Sequence, residues 1–567
     1  MKFSQIVYQR PDFEKLEQQF MESLEKLTTA KNLSQAVESI KFINNIRKSF
    51  ISAMSVATIR YCMDTRDEFY SKEREFYNEA APRAEALLFR FYEALIKSSL
   101  RDQLERIFGT RLFNIAEMTI KTFVPEILED LIEENKLSND YAKLISSAKI
   151  QFDGRQLTLP QLKAFEMSPE RDVRKRACEA RYQFFAQNER QLDEIYDQLV
   201  KVRHRIATKL GFKSFVPVAY LRMKRSDYSP QDVKSLRDVV QRHVVPLIQN
   251  LRNQQRKILQ IDELKYYDRP ILLRDGNPRP QGDLHEIVKS AKTMYEQMSK
   301  HTKEFFDYML DNGLMDLESR EGKYPGGFCD FIPDHGMPFI FANFNGTAHD
   351  VDVLTHEAGH AFQVYRSRHF EVPEYYWPTA EACEIHSMGM EFFAWPWLEL
   401  FYKERAEEAR LVHAWGGLNF IAYGVSVDEF QHVVYEDPSL TPEERRKVWR
   451  QIEMKYMPEI DYEGNRYLES GGFWQQQAHI YESPFYYIDY VIAQLCAMQF
   501  LQKFFQDRVT AFDRYLKLCD LGGSLSFYQL LKAADLGSPF NEEVVKSTVK
   551  WLYDWIESRV NKLKSSP

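Results

Sequence analysis

The sequence predicts a mainly α protein: a large multi-helix body with two small β elements. Three observations predict it. Apolar residues recur at three- and four-residue spacing through most of residues 10–145 and again over 168–211. Two stretches favour strand: one alternating around a turn at about 148–160, and an aromatic one bounded by Pro338 and Gly346. The composition, 44% apolar and 28% charged, is that of an ordinary globular chain.

The elements follow in order. Pro11-Asp12 opens a helix whose apolar stripe is Phe13, Leu16, Phe20, Leu24 and Leu27. A later helical run stops near Gly109. Asp153-Gly154, between alternating residues, predicts a short β-hairpin at about 148–160. Helix resumes from a Ser168 cap to a Gly211 stop. A boundary near 190–210 divides an N-terminal helical region, 1–200, from a catalytic region, 201–567, with its site within 320–500. Residues 262–282, rich in Pro and Gly, read as loop. "PFIFANF", bounded by Pro338 and Gly346, reads as a short strand whose exposed edge suits an extended peptide backbone.

Composition excludes several functions. Seventy-five basic against 83 acidic residues leave a net charge of −8, so nucleic acid is not the expected partner. The N-terminus has no run suited to a signal peptide, and no uncharged apolar run reaches the ~18 residues of a membrane span. Six scattered cysteines argue against a disulfide framework and fit a reducing cytoplasm, the expected location.

The chemistry concentrates in "DVDVLTHEAGHAFQVY", residues 350–365. On a helix, His356 and His360 lie on one face and can aim both imidazoles at one cation, usually zinc. Glu357, at the edge of that face, can reach a water on the cation without being a ligand. A third ligand is required. The helix should end near Arg368 or His369, and a second should start at Thr379. About nine residues, ~13 Å, separate His360 from the first helix end, and six residues of an antiparallel return recover ~9 Å. Glu381 or Glu384 then comes level with the histidines, and Glu384 is the preferred ligand. Glu391 and Asp352 are expected to orient the ligands, while His386 points elsewhere and is structural. Two histidines and one glutamate leave a coordination position for water, which Glu357 would deprotonate before passing the proton to a leaving amine.

Amide hydrolysis builds charge on the carbonyl oxygen, and neutral donors stabilise it. "GGFWQQQAHIYESPFYYIDY", residues 471–490, offers His479, Tyr481, Tyr486, Tyr487 and Tyr490. Phe341, Asn343, Gly346 and Tyr486 are candidates for contact with a bound peptide.

"HEAGH", then "EIHSMGME", then "HIYESPFYYIDY" resemble the thimet-oligopeptidase-like metallopeptidases, most closely the oligoendopeptidase F branch. The resemblance is specific over about 320–500. It implies one zinc per chain, held by His356, His360 and Glu384, with Glu357 as general base. It implies that His479 lies near the bound peptide and that Tyr487 and Tyr490 serve the transition state. The stretch is one residue shorter here, so Tyr486 could stand in for Tyr487. It also implies a two-lobed helical fold around a deep channel, and endopeptidase action on short unfolded peptides. The competing readings are a helical zinc carboxypeptidase or dipeptidyl carboxypeptidase, and a metal-free peptide-binding protein of the same fold.

Overall fold

The computed structural model describes residues 1–565. These residues are mainly helical, with five short strands in a two-stranded and a three-stranded sheet. They form two compact units, each assembled from three stretches of chain. The first takes residues 1–123, 280–403 and 503–536; the second takes 124–279, 404–502 and the C-terminal stretch from 537. No described helix is long and apolar enough to cross a membrane.

In the first unit, Asp12 caps the helix Phe13–Thr28 by accepting from the Lys15 N–H at 3.1 Å. Phe13, Phe20, Leu24 and Leu27 are buried and Leu16 is half-buried, as the spacing predicts. The predicted run to Gly109 is broken: one helix ends at Lys97 and another spans Arg101–Phe108. Gly109 then takes φ +86°, where a Cβ would also lie 2.8 Å from the Tyr375 hydroxyl.

The three-stranded sheet places Met337–Phe344 in the middle. Met315–Glu318 pairs with it in parallel on one side, and Phe328–Ile332 antiparallel on the other. The strand predicted from "PFIFANF" therefore exists, but its expected exposed edge does not. On the antiparallel side the outer strand is Phe328–Ile332, in register as Phe328 with Phe341 and Asp330 with Phe339. The sequence marks only the strand bounded by Pro338 and Gly346 in this region. The pairing that makes a sheet of it is non-local and leaves little local pattern.

In the second unit, Ile150–Phe152 and Arg155–Leu157 form the predicted hairpin. Asp153 (φ +46°) and Gly154 (φ +74°) both take left-handed backbone, as a two-residue turn of this twist requires. The helix expected over 168–211 is two helices, Arg171–Gln187 and Glu189–Lys209. They part at Asn188, whose side-chain amide donates back to the Phe184 carbonyl at 2.8 Å. Gly211 follows the second helix at φ +83°.

Candidate active site

The motif helix runs His349–Ser367 and the return helix Ala380–Phe393, within a residue or two of the expected ends. Asp350 fixes the motif helix's entry. Its buried carboxylate accepts the N–H groups of Asn345 (3.0 Å) and Gly346 (2.7 Å) in the preceding turn. Gly346 takes φ +79° there. At the far end, Gln363 and Ser367 donate to the Tyr376 carbonyl at 2.9 and 2.8 Å, turning the chain towards the return helix.

Gly359 sets how closely the two helices pack. A Cβ at this position would fall 2.5 Å from the His386 carbonyl oxygen and 2.6 Å from the Ser387 Cα. Both obstacles are backbone, so no rotamer change relieves them. The glycine inside the motif costs ~1 kcal/mol of helix propensity. It allows an approach that sets Glu384 beside both histidines.

The ligand atoms of His356, His360 and Glu384 all lie within 4.8 Å of one another. Glu384 Oε2 is 3.3 Å from His356 Nε2 and 3.5 Å from His360 Nε2. The Ser387 hydroxyl donates to the same oxygen at 2.9 Å. Glu391 Oε1 sits 2.7 Å from His356 Nδ1, which fixes that ring and leaves Nε2 to face Glu384. Burial opposes the charge on His356, but hydrogen bonds and charges of Glu384 and Glu391 outweigh it and push its pKa well up. Burial would raise Glu384, yet the two histidines hold it well below the usual carboxylate range. The donor set thus stabilises positive charge at its centre.

Glu357 is nearly buried beside this cluster, and burial first of all raises its pKa. Gly327, just before the outer strand, is so placed that a Cβ would lie 3.8 Å from Glu357 Oε1. His386 is fully buried and held neutral by burial, which lowers it to about 3. Its backbone carbonyl accepts from the Tyr515 hydroxyl at 2.7 Å. Asp352 is half-buried on the first turn, and its charge helps raise the Tyr402 pKa after burial. Phe341 is fully buried and stacks on Phe328 at 4.8 Å. Asn343 donates to the Tyr324 and Gly326 carbonyls at 2.9 and 2.8 Å, bracing the loop before the outer strand.

The second unit carries the other predicted residues. His479 lies on the short helix Ala478–Glu482, and Tyr487 and Tyr490 open the helix Tyr487–Gln506. Their rings gather around His479: Tyr486 stacks on it at 5.7 Å and 18°, and Tyr487 and Tyr490 meet it at 5.1 and 5.6 Å. Tyr490 Oη is 3.5 Å from His479 Nε2. Burial raises the Tyr487 pKa, so its hydroxyl keeps its proton. Tyr481 is instead a core residue, fully buried and stacked on Tyr141 at 3.9 Å.

Distant residues hold this stretch, and the sequence offered no signal for them. Arg203, fully buried, donates to the Tyr481 carbonyl at 2.5 Å and pairs with Glu134 at 2.7 Å. Arg225 donates to the Phe485 carbonyl at 2.7 Å and to Asp489 at 2.6 Å; neither side chain of that pair is exposed. Phe485 has φ +66°, a strained backbone for a bulky residue, and its N–H donates to Gln431 at 2.8 Å.

Residues 164–549 match the family Peptidase family M3, and residues 3–123 match the Peptidase M3 N-terminal domain. Oligoendopeptidase F, chromosomal, of Lactococcus lactis subsp. cremoris is 25% identical over 387 residues. That match covers 65% of this chain and spans 60% of that relative's length. The solved structure of PZ peptidase A with an inhibitor is 51% identical, with a TM-score of 0.95 over 98% of this chain and 99% of that one. A candidate oligoendopeptidase F from Bacillus anthracis str. Ames is 46% identical, with a TM-score of 0.91 over 98% of each chain.

Proposed function

The chain belongs to peptidase family M3, a family of metallopeptidases, and on that premise we propose that it is a zinc-dependent endopeptidase of short unfolded peptides. One observation carries the reading: two imidazoles and a carboxylate converge within 4.8 Å, with the Glu357 carboxylate next to the first imidazole in sequence. The set fits a zinc ion, which favours nitrogen and oxygen donors and, in catalytic sites, three protein ligands. The fit also explains the electrostatics. The two histidines hold the buried Glu384 in its charged form, the part a cation bound between them would take. His356, His360 and Glu384 would hold one zinc per chain.

Zinc, when bound, supplies a Lewis acid that lowers the pKa of a bound water and polarises a carbonyl. The protein's residues supply the rest. Glu357 accepts the proton of the attacking water as the C–O bond forms at the scissile carbonyl. It then gives that proton to the amide nitrogen as the C–N bond breaks, leaving a carboxylate and an amine. His479, Tyr487 and Tyr490 donate to the oxygen that gains charge, and Tyr486 holds the His479 ring. Glu391 keeps His356 oriented, and Asp352 lends charge at the start of the motif helix. Phe341 and Asn343 serve bound peptide indirectly, by shaping the outer strand and the loop before it; Gly346 sets the turn.

The test uses a peptide blocked at both ends, with zinc content measured in parallel. The wild type is expected to hold one zinc per chain and to cut the blocked peptide internally. Glu357→Gln should keep the zinc and lose kcat by about 10³-fold. Normal cleavage by that variant sinks the mechanism. Cleavage restricted to peptides with a free C-terminus would favour the carboxypeptidase reading, which needs a cation for that carboxylate. The three cations near the motif give that reading no support. Lys323 is buried on Asp316 at 2.9 Å, Arg366 pairs with Asp520 at 2.6 Å, and Arg368 lies over the Tyr365 ring at 3.7 Å. All six cysteines are free, which supports a reducing cytoplasm as the place of action.

A further inference from the structure

His479 is useful to an oxyanion only if the ring nitrogen facing it carries a proton. A neutral imidazole has one N–H, on either nitrogen, and the hydrogen bond at one nitrogen fixes the state of the other. Gln477 Nε2 lies 2.8 Å from His479 Nδ1. On the other side of the same amide, the Tyr423 hydroxyl donates to Gln477 Oε1 at 2.8 Å.

The direction of this chain follows from Tyr423. Burial, then the neighbouring Tyr487, push its pKa well up, so its hydroxyl stays protonated and needs an acceptor. Among the described residues, Gln477 Oε1 is the acceptor that hydroxyl meets. Turning the amide over would face its NH2 to the Tyr423 hydroxyl and leave the tyrosine proton without an acceptor. The amide oxygen therefore faces Tyr423 and its NH2 faces His479. An N–H aimed at Nδ1 requires a lone pair there, so the proton sits on Nε2. Nε2 is the nitrogen 3.5 Å from the Tyr490 hydroxyl. Two donors then stand side by side, while Tyr486 keeps the ring from turning.

We infer that Gln477, oriented by Tyr423, is a positioning residue that locks His479 with its proton on Nε2, as a hydrogen-bond donor to the substrate oxyanion. The inference rests on the proposed role of His479. Its first readout is independent of activity.

The zinc-loaded full chain, labelled with ¹⁵N-histidine, is examined by long-range ¹H–¹⁵N spectroscopy, with His479 identified by its loss in His479→Gln. The wild type is expected to show the Nε2–H tautomer. Gln477→Glu, whose carboxylate can only accept, should turn it to Nδ1–H. That variant should lose kcat by about 10²-fold, the effect of one oxyanion donor, with KM within about threefold. Tyr423→Phe removes one hydroxyl only and should give a mixture of tautomers and a smaller loss of kcat. An Nδ1–H signal in the wild type overturns the inference, as does unchanged kcat in a Gln477→Glu protein whose tautomer has turned. The expected tautomers with no peptidase activity in the wild type would instead count against the proposed function.

Discussion

The His356 centre draws its donors and supports from two consecutive helices, His349–Ser367 and Ala380–Phe393. The His479–Tyr490 cluster has its donors in one short stretch but its supports far away in sequence. Arg203 reaches Tyr481 across 278 positions, and Arg225 reaches Asp489 across 264. The first arrangement is rigid because helix geometry places its residues. The second needs external pins, because the chain between its two helices passes through the strained Phe485. The difference teaches where each centre is vulnerable, and mutations should separate the two.

The largest effect is expected at a pin. Arg225→Met strips the buried Asp489 of its cation and should cost about 3–5 kcal/mol in chemical denaturation. At temperatures where the variant stays folded, kcat should fall while zinc content is unchanged. Lost zinc would mean that the two centres are not separable.

Gly359→Ala attacks the other centre through its backbone. The added methyl meets the His386 and Ser387 backbone, so the return helix must move away. The expected cost is about 1–3 kcal/mol, with weakened zinc binding in the same variant. A stable variant with full zinc content would show that the close approach is not what places Glu384.

Glu391→Gln is milder. The histidine it orients stays, so stability should hardly change, while zinc affinity should fall about 10–100-fold in competition with a chelator. Unchanged affinity would remove Glu391 from the site.

The smallest effect is a pH dependence at a buried pair that includes none of the donors of either centre. Burial opposes the Glu374 charge, but Arg47 at 2.5 Å and the Tyr92 hydroxyl hold its pKa below the usual value. A carboxylate lowered in the folded state contributes stability that is present above its unfolded pKa, about 4.3, and lost as pH falls through the folded value. The stability gap between the wild type and Glu374→Gln should therefore be full at pH 7 and narrow below about pH 4. Denaturation curves at the two pH values measure it, and a gap that widens on acidification contradicts the assignment.

Much of the site is legible in the chain because its logic is local. Four-residue spacing puts His356 and His360 on one face, and the length of the intervening loop brings Glu384 level with them. Asp153-Gly154 specifies its hairpin for the same reason: the turn's φ values select those residues. The helix breaks at Ser98–Leu100 and Asn188 were less legible, since periodicity runs through both and local hydrogen bonding or packing stops the helix.

By itself, then, the sequence determined the helical body, the hairpin, the motif helix with its antiparallel return, and the types of residue available for a metal and an oxyanion. Tertiary structure decided the rest. It made Met337–Phe344 a central strand rather than an edge, and drew each unit from three separate stretches of chain. It gave Gly359 its purpose by bringing backbone to within contact of it, and chose Arg203 and Arg225 as the supports of the second cluster. The physical reason is one of range. Helix propensity, capping and turn conformation act over a few residues and leave a pattern in the chain. Strand pairing, close backbone approach and buried ion pairs depend on which distant atoms meet, and only the folded chain brings them together.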